Sequence, residues 1–411
     1  IPFFLITGPF LSDLAISLIS FLFIIYCFKK KKFSFFNNIY FYIFLIFWIY
    51  LLINSLINNF NLDSLKISLF YFRYGIFVIA IVALLNVDDK FIKYFFYCIL
   101  ICFTALILDG FYQYFFGENI LGWKSKIRVS SFFGDEKILG SYLSRLWPIF
   151  FGISVFFFKN KKNLFFLLIS VFVLSEALIF LSGDRTAFFN INLSAIFVIL
   201  FSQKLLKLRL ITLSLSVLLL VIISLINPTA KERVFDQTLK QMKGVEERLP
   251  GEEGIFGEEG IFGEEGIFIF TKTHTHHYIT AYKMYLDNKV LGVGVKNFRV
   301  FCRDERYEVS KLSCSSHPHN TYLQILSETG IIGFLFLVMV LFSFCFYLFK
   351  HLKLRIKGKY YFNDFEICIL SAIAIYLWPV IPTGNIFNNW LNILMILNLP
   401  FLIWSRKSLK A

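Results

Sequence analysis

Residues 331–349 read IIGFLFLVMVLFSFCFYLF, and residues 350–359 follow as KHLKLRIKGK. The first stretch carries no charge and, together with residues 320–330 before it, is long enough to cross the hydrocarbon core of a bilayer as a helix. Lys and Arg directly after such a run are typical of its cytoplasmic end. This part of the chain therefore predicts a transmembrane helix and also its orientation.

The rest of the chain has the same apolar character. Of its 411 residues, 57% are hydrophobic, 20% are aromatic and 17% are charged, whereas a soluble globular protein carries about 25% charged residues. This composition excludes an ordinary soluble domain and predicts an all-α, polytopic integral membrane protein. The apolar runs lie at residues 10–28, 38–58, 66–86, 91–116, 138–158, 163–182, 186–202, 205–226, 320–349, 364–382 and 385–404.

The first residues of the chain predict part of one more helix. Residues 1–7 precede Gly8-Pro9, a pair that breaks a helix. We interpret them as the end of a truncated first helix, which gives about 12 transmembrane helices in all and places both termini in the cytoplasm. A signal peptide over residues 1–28 is the alternative, and it is disfavoured because no small-residue cleavage site precedes Lys29.

The net charge of +14 is mainly a topology signal. Lys and Arg gather in short loops between apolar runs, as they do on the cytoplasmic side of membrane proteins, so nucleic-acid binding is disfavoured. The clusters are Lys29–Lys32, Lys159–Lys162, Lys204–Arg209, Lys350–Lys359 and Arg406–Lys410. The segments left on the opposite side are 59–64, 117–137, 182–185, 227–318 and 383–388.

These assignments divide the chain into three parts: helices 1–9 in residues 1–226, a large periplasmic loop in residues 227–318, and helices 10–12 with a cytoplasmic tail in residues 319–411. Two helical segments of the loop, 230–243 and 277–286, are expected to lie over the membrane face as a lid. Between them the hexad GEEGIF occurs three times, at 251–268. We interpret this repeat as a tolerated loop expansion, with a cation site on its carboxylates as the alternative.

Cys302 and Cys314 lie in the loop, whereas the other five cysteines lie in apolar runs. Because a periplasmic loop is in an oxidising compartment, a local disulfide between them is the favoured interpretation. Two unpaired thiols remain an alternative. A zinc site with His317 and His319 is disfavoured because the cysteine spacing matches no closed zinc site.

Polar residues at the membrane boundary indicate function, because each is costly in hydrocarbon and usually faces a cavity or a partner. One such break, SGDRT at 182–186, contains Arg185, whose planar fork of donors suits a diphosphate. A structural alternative is an interfacial Arg185 paired with Asp184. Arg128 and Arg145 are predicted to lie on the same side of the membrane as Arg185 and are able to contribute to an anion-binding site.

A second polar motif, HPHNTYLQILSETG, occupies residues 317–330 at the start of the tenth span. Histidine titrates close to neutral pH and is able to accept a proton from a hydroxyl nucleophile. A lone interfacial histidine is more often structural. The pair His317 and His319, followed by Asn320, makes a functional site more plausible than a lone histidine would. Spacing alone, however, supports a functional and a structural role equally.

Three segments resemble the signatures of the O-antigen ligase and polymerase superfamily: SGDRTAF at 182–188, LGVGVKNFR at 291–299 and the motif at 317–330. The resemblance implies a GT-C-like glycosyltransferase of the Gram-negative bacterial inner membrane whose active site faces the periplasm. Such enzymes transfer a glycan from undecaprenyl diphosphate to an acceptor. The ligase branch uses lipid A-core oligosaccharide, and the polymerase branch uses another carrier-linked repeat unit.

The same resemblance assigns roles to individual residues. Arg185 is expected to hold the diphosphate, and His319 to orient or deprotonate the acceptor hydroxyl, with inversion at the anomeric carbon. Asn320 and Glu328 are expected to support the site more than to act chemically. Many relatives carry an Arg ahead of the loop helix, where this chain has histidines instead, so the second phosphate contact is left open. The further substrate-binding candidates are Arg128, His317, Asn320, Arg299 and Arg303, besides the histidines His274, His276 and His277.

No Asp-x-Asp pair occurs on the outer side: Asp88-Asp89 falls in a cytoplasmic turn, and Asp135-Glu136 has no further carboxylate at useful spacing. We therefore predict transfer without metal or cofactor, with arginines in place of a cation. The favoured function is O-antigen ligase. An O-antigen polymerase or a protein O-oligosaccharyltransferase with the same donor is the main alternative, and a transporter is disfavoured because the spans show no internal repeat.

Overall fold

The structure, a computed structural model, describes residues 1–58, 61–88, 90–124, 128–158, 162–226, 228–242 and 271–408. The GEEGIF repeat lies outside these residues. The described chain is helical and forms no β-strand. Its helices are α1 (Pro2–Ile6), α2 (Pro9–Lys30), α3 (Ile39–Ile57), α4 (Leu62–Phe70), α5 (Phe72–Val87), α6 (Lys90–Phe116), α7 (Leu139–Phe158), α8 (Lys162–Leu181), α9 (Arg185–Phe201), α10 (Leu206–Ile226), α11 (Pro228–Lys231), α12 (Gln237–Met242), α13 (Lys272–Asp287), α14 (Phe298–Phe301), α15 (Thr321–Ile356), α16 (Asp364–Leu377), α17 (Asn389–Ile396) and α18 (Leu399–Ser408).

Each of the predicted apolar runs contains one helix or a pair of helices, and the all-α polytopic class is confirmed. Among the described residues, six segments are long and apolar enough to cross a bilayer. Two shorter apolar segments, Phe166–Leu181 and Arg185–Phe201, accompany them. The six segments are Pro9–Lys30, Ile39–Ile57, Leu62–Val87, Lys90–Phe116, Leu206–Ile226 and Thr321–Ile356.

The last two predicted spans are shorter or broken. The run 364–382 forms only the 14 residues of α16, and 14 residues rise about 21 Å at 1.5 Å each, less than the hydrocarbon thickness. The run 385–404 divides into α17 and α18, with a turn at Leu397 and Asn398. Pro400 explains the division, because a proline lacks the N–H that would continue the helix but fits the first turn of a new one.

The core of the bundle is built around α7. This helix packs against α8, α9 and α16, and its Trp147, Phe150 and Phe151 are fully buried. The Trp147 and Phe151 rings stack 4.8 Å apart. Dispersion and aromatic contacts of this kind hold membrane helices together where the hydrophobic effect contributes little.

Two ion pairs between helices supplement this packing. Arg209 on α10 donates to Glu176 on α8 at 2.8 Å, with both side chains buried. Arg73 donates to Asp13 at 2.6 Å and so joins α5 to α2. Because an unpaired charge at membrane depth is costly, each pairing explains how an ionisable residue is tolerated in an apolar run.

A kink in α15 attaches the large loop to the membrane helices. Gly330 has φ 62° and ψ −167° inside the helix, which releases the carbonyls before it from their helical bonds. The amides of Val293 and Gly294 donate to the carbonyls of Ser327 and Glu328 at 2.8 and 2.9 Å. Residues 289–294 are therefore fixed against the start of α15, which carries the second polar motif.

Replacing Gly330 by alanine is expected to destabilise the protein by on the order of 3 kcal/mol, because this backbone region is open essentially to glycine alone. The added Cβ would also lie 2.2 Å from the carbonyl oxygen of Val290. Thermal unfolding of the detergent-purified variant measures the loss. Gly358→Ala is the matched control, since Gly358 also has a positive φ but has open space around it. Equal melting temperatures for the two variants would contradict the steric argument.

Candidate functional site

One cavity of about 1550 Å³ opens where the loops between helices converge. Its walls come from the α1–α2 junction, the loop before α7, the starts of α7, α9 and α17, and the segments before and within α13 and before α15. Two carboxylates line it, Glu136 and Asp184, against a larger set of basic groups. The basic and imidazole side chains of the lining are Arg128, Arg145, Arg185, Arg233, His274, His317 and His319.

The motif SGDRT forms the tight turn between α8 and α9. Gly183 adopts φ +60°, and Asp184 caps α9 by accepting a hydrogen bond from the amide of Ala187 at 3.0 Å. Arg185 is consequently the first residue of α9 and projects at the cavity wall, where its Nη1 donates to Thr238 Oγ1 at 3.3 Å. The structural alternative, a pairing with Asp184, is also compatible with this geometry, because the helix cap engages only Oδ1 of that carboxylate.

Two further arginines flank the glycine of this turn. Arg128 Nε donates to the carbonyl of Ser182 at 2.6 Å, and Arg233 Nε donates to the carbonyl of Gly183 at 3.2 Å. A Cβ on Gly183 would lie 2.7 Å from Arg233 Cδ and 3.3 Å from Arg128 Cγ. The glycine is therefore required both by its backbone conformation and by the close approach of two guanidinium groups.

The three guanidinium groups influence one another electrostatically. Burial lowers the pKa of Arg128 from its ordinary value, Asp184 opposes this shift, and the neighbouring cations Arg233 and Arg185 lower the pKa further. Mutual repulsion of this kind shows that positive charge exceeds negative charge at this wall. An anionic group placed there would relieve the repulsion, so the arrangement suits a phosphate or diphosphate.

A buried hydrogen-bond network holds the loop that carries Arg128. Gln113 Oε1 accepts from the amides of Ser130 and Ser131 at 2.9 and 2.8 Å, and Asp109 accepts from the amide of Ile120 at 2.9 Å. The Ser131 hydroxyl donates to the same Asp109 carboxylate at 2.5 Å. These side chains on α6 help to fix the loop conformation, because they accept hydrogen bonds from three of its backbone amides.

The sequence provided no signal for Arg233. It lies in a π-helical turn, Glu232–Asp236, between α11 and α12, in a loop whose charges are nearly balanced. A basic residue among neighbouring lysines and acids, here Lys231, Lys240, Glu232 and Asp236, is typical of a solvated loop. Only the return of this loop over the SGDRT turn brings Arg233 to the cavity, and that contact joins residues 50 positions apart.

His319 has an unusual backbone conformation for a residue other than glycine. Its φ is +57°, and its carbonyl accepts from the amide of Thr383 at 2.7 Å. Its ring atom Nε2 lies 3.1 Å from Ser315 Oγ, and no described residue hydrogen-bonds its Nδ1. Strained conformations of this type concentrate at functional sites, and here the strain leaves one ring nitrogen available to a substrate.

His317, by contrast, has no ring nitrogen to spare. Nε2 lies 3.0 Å from the carbonyl of Thr383, which can only accept, so Nε2 carries the proton. Nδ1 then accepts from Ser316 Oγ at 2.9 Å. Burial, followed by the proximity of His319, lowers the pKa of His317 to about 3. His317 is therefore neutral at physiological pH and positions the neighbouring ring of His319, which lies 4.1 Å away between centroids.

Two histidines of α13 complete the environment of His319. The rings of His274 and His277 lie 5.2 and 5.3 Å from the His319 ring. Burial, followed by the proximity of His319, lowers the pKa of each to about 4, and burial lowers the pKa of His319 itself. The cluster is thus uncharged near neutral pH, and His319 is unprotonated and able to act as a base.

Asn320 and Glu328 support the site without lining the cavity. Asn320 Oδ1 accepts from the amides of Tyr322 and Leu323 at 3.0 and 3.1 Å and so caps α15. Glu328 Oε1 accepts from the amide of Phe298 at 3.0 Å. The structure therefore gives Asn320 a capping role in place of the substrate contact expected for it, because its acceptor is occupied by the first turn of the helix.

The structure does not bring Arg299 and Arg303 to the cavity. Arg299 Nη2 donates to the carbonyl of Ser316 at 3.2 Å, and Arg303 is exposed. Neither residue is part of the cavity lining. Between them Cys302 pairs with Cys314 in a disulfide with Cα atoms 4.9 Å apart, which closes the short segment that leads to the histidines.

Despite the four imidazoles, the described residues contain no group of three or more His, Cys, Asp or Glu side chains arranged to hold a metal ion. The rings of His317 and His277 are instead engaged with backbone carbonyls. The chemistry available at this wall is therefore that of a neutral imidazole facing a cluster of guanidinium groups.

Comparison with known proteins covers part of this site. Residues 168–338 match the family model described as O-Antigen ligase. This segment of the chain is therefore similar to the O-antigen ligase superfamily. The matched segment includes Arg185, Arg233 and His319, whereas Arg128 and Arg145 precede it. Members of this superfamily are glycosyltransferase-like enzymes, and the apolar helices agree with a multi-pass membrane protein. No curated protein matches the chain significantly.

Proposed function

We propose that the protein is an O-antigen ligase that transfers O-polysaccharide from undecaprenyl diphosphate to a lipid A-core acceptor. The observation that carries this proposal is the shared cavity, in which Arg185 faces the same space as His319. The cation is suited to a diphosphate, and the imidazole to an alcohol. Binding both in one enclosed space would orient the hydroxyl towards the anomeric carbon and exclude water.

In the proposed reaction the acceptor hydroxyl oxygen forms a bond to the anomeric carbon, and the bond from that carbon to the diphosphate oxygen breaks. The electron pair leaves with the diphosphate, whose new negative charge is stabilised by Arg185 and its neighbours Arg128 and Arg233. The hydroxyl proton passes to Nδ1 of His319 in the tautomer whose Nε2 carries a proton and donates to Ser315 Oγ. Attack opposite the leaving group inverts the anomeric centre.

An apolar part of the cavity supports a lipid-linked donor. Below the arginines the lining consists of hydrophobic side chains from α1, α6 and the loop before α7. A polyprenyl chain buries well against such a surface, at about 0.8 kcal/mol for each CH₂ group removed from water. The residues of this apolar part include Phe3, Ile6, Ile101, Ala105, Leu121, Phe132 and Ile138.

The location that fits this donor is the inner membrane of a Gram-negative bacterium, with the cavity facing the periplasm. The basic clusters support this orientation, because the helix starts that form the cavity lie at the ends of spans opposite to Lys29–Lys32 and Lys350–Lys359. A disulfide between Cys302 and Cys314 also suits an oxidising compartment.

A deletion strain tests the proposal. Unsubstituted lipid A-core together with accumulating carrier-linked polymer is the expected result, and it should be reversed by the wild-type gene. Core bearing a single repeat unit would mean that the protein is a polymerase. Unglycosylated acceptor proteins with normal lipopolysaccharide would mean a protein O-oligosaccharyltransferase, and failure of the donor to reach the periplasm would mean a transporter.

Transfer is expected to keep its full rate in excess chelator. The guanidinium groups of Arg128, Arg185 and Arg233 are expected to stabilise the negative charge that develops on the leaving diphosphate. They would therefore replace a metal ion as Lewis acid. The measurement is in vitro transfer by the purified protein before and after treatment with EDTA. Activity that is lost with EDTA and restored by magnesium would contradict this expectation.

A further inference from the structure

A smaller chamber of about 70 Å³ adjoins the main cavity. The two share Arg145, Thr186 and Thr383 in their linings. The chamber lies one to two helical turns further into the bundle, because Arg145 and Asn190 follow the starts of α7 and α9 by six and five residues. It is lined by α7, α9, α15, α16 and α17 and by the segment 381–386, and the proposed reaction leaves it without a role.

Arg145 contributes a buried charge to this chamber that has no carboxylate partner in the described part of the chain, although its guanidinium lies 5.6 Å from the centroid of the Tyr376 ring. The residue is 5% exposed and forms no ion pair with any described residue. Its Nη1 donates to the Ser141 carbonyl at 3.3 Å and to the Ser141 hydroxyl, while its Nε has no acceptor. Arg209, which is buried to a similar extent, has a carboxylate partner at 2.8 Å. An unpaired buried guanidinium is costly unless a ligand supplies the opposite charge.

Two asparagines add further unpartnered groups. Neither the oxygen nor the nitrogen of the Asn190 amide has a hydrogen-bond partner, and the Nδ2 of Asn392 also has none. These residues are 1% and 2% exposed. Since unsatisfied buried polar groups are costly and rare in native structures, their concentration around one space points to a missing ligand.

The chemistry of the lining selects the kind of ligand. The unpartnered N–H donors come from Arg145, Asn190 and Asn392, and the lining includes no Asp or Glu among the described residues. A group with several acceptor oxygens and negative charge would satisfy the unpartnered N–H donors of all three side chains together. The chamber's volume of about 70 Å³ is several times the roughly 10–15 Å³ that a single water needs, so it has room for a small group of several atoms.

We propose that this chamber is an oxyanion subsite in which Arg145, Asn190 and Asn392 bind one phosphate group. The phosphate comes either from the headgroup of a lipid diphosphate or from a free phosphate anion. In the first case the inference rests on the proposed function and extends it: one phosphate of the donor enters the chamber, and the other remains at Arg185. The chamber then fixes the depth at which the donor lies in the membrane.

Binding measurements in nanodiscs test the subsite. Inorganic pyrophosphate and undecaprenyl diphosphate are titrated separately against the wild type, Arg145→Gln and Asn190→Leu by calorimetry. Asn190→Leu fills the chamber with an apolar group and is expected to weaken binding at least tenfold. Asn192→Leu is the matched control, because Asn192 lies on the same helix but donates to the Phe188 carbonyl and lines neither cavity. Asn190→Ala and melting temperatures separate loss of binding from misfolding.

Each outcome decides the inference. Weaker binding of both probes in the chamber variants supports a site for free phosphate as well as for the headgroup, and weaker binding of undecaprenyl diphosphate alone supports a headgroup subsite. If the chamber variants bind both probes as the wild type does while Arg185→Gln binds them weakly, the subsite is refuted and the proposed function stands. If the wild type binds neither probe, both proposals fail.

Discussion

Replacing His319 by alanine is expected to reduce glycan transfer about 10²–10⁴-fold, the usual contribution of a positioned general base. The physical reason is the loss of the Nδ1 acceptor, which no described residue occupies and which the acceptor hydroxyl requires. The measurement is transfer from a lipid-linked donor by purified protein in detergent or nanodiscs. Restoration of the lipopolysaccharide ladder in a deletion strain provides a second readout.

Two further variants separate the loss of the imidazole from other effects. Because residue 319 has φ +57°, alanine adds backbone strain, whereas asparagine tolerates this region better. His319→Asn should therefore be as inactive as His319→Ala but more stable. His276→Ala is the matched control, since His276 lies in the same loop, contacts Ser310 at 2.5 Å and does not line the cavity. Near-normal transfer by His319→Asn would remove His319 from the mechanism.

The pH dependence of transfer follows from the same imidazole. Burial lowers the pKa of His319 below its ordinary value of 6.5, so the basic, neutral form persists below that pH. Transfer is expected to stay constant from pH 8 down to about 6.5 and to decline only at lower pH, as the ring becomes protonated. A decline that begins well above pH 7 would mean that another group supplies the base.

Much of the fold follows from the sequence, because each uninterrupted apolar run that excludes charge must form its backbone hydrogen bonds internally. The helix interruptions were predictable only in part. The Gly8-Pro9 break is local chemistry, and the structure ends α1 before it. The kink at Gly330 is different, because it depends on hydrogen bonds from residues 289–294 to the carbonyls that the kink releases. The sequence of α15 alone does not predict those long-range hydrogen bonds.

The candidate site divides in the same way. Arg185 and His319 stand in motifs that resemble a known family, and the structure brings them to one cavity. The second anion contact depends on long-range geometry, so the sequence leaves it open among the histidines, Arg299 and Arg303, and the Arg299 side chain binds the Ser316 carbonyl. Arg233 lies at the cavity wall beside Arg185, because its loop folds back on Gly183.

Arg185→Gln is expected to reduce transfer about 10²–10³-fold, the magnitude found when one donor to a developing oxyanion is removed. Arg185→Lys keeps the charge but loses the planar fork, and we expect only partial recovery. Arg303→Gln is the matched control, because Arg303 is exposed and lies outside the cavity. Rates are measured with purified protein at saturating and at limiting donor. Wild-type rates for Arg185→Gln would exclude this residue from the site.

The division of that loss between KM and kcat distinguishes two roles for Arg185. If the guanidinium only holds the donor, Arg185→Gln removes the same interaction from the bound donor and from the transition state. KM for the donor then rises while kcat is unchanged. Cleavage of the glycosyl bond, however, turns a bridging oxygen of the diphosphate into a terminal one and adds negative charge beside Arg128 and Arg233. Because Arg233 and Arg128 both repel Arg185, the three guanidinium groups are expected to stabilise this added charge more strongly in the transition state than in the bound donor. We therefore expect kcat to fall with Arg185→Gln, and to fall less than additively when Arg233→Gln is combined with it, since the two side chains stabilise the same charge.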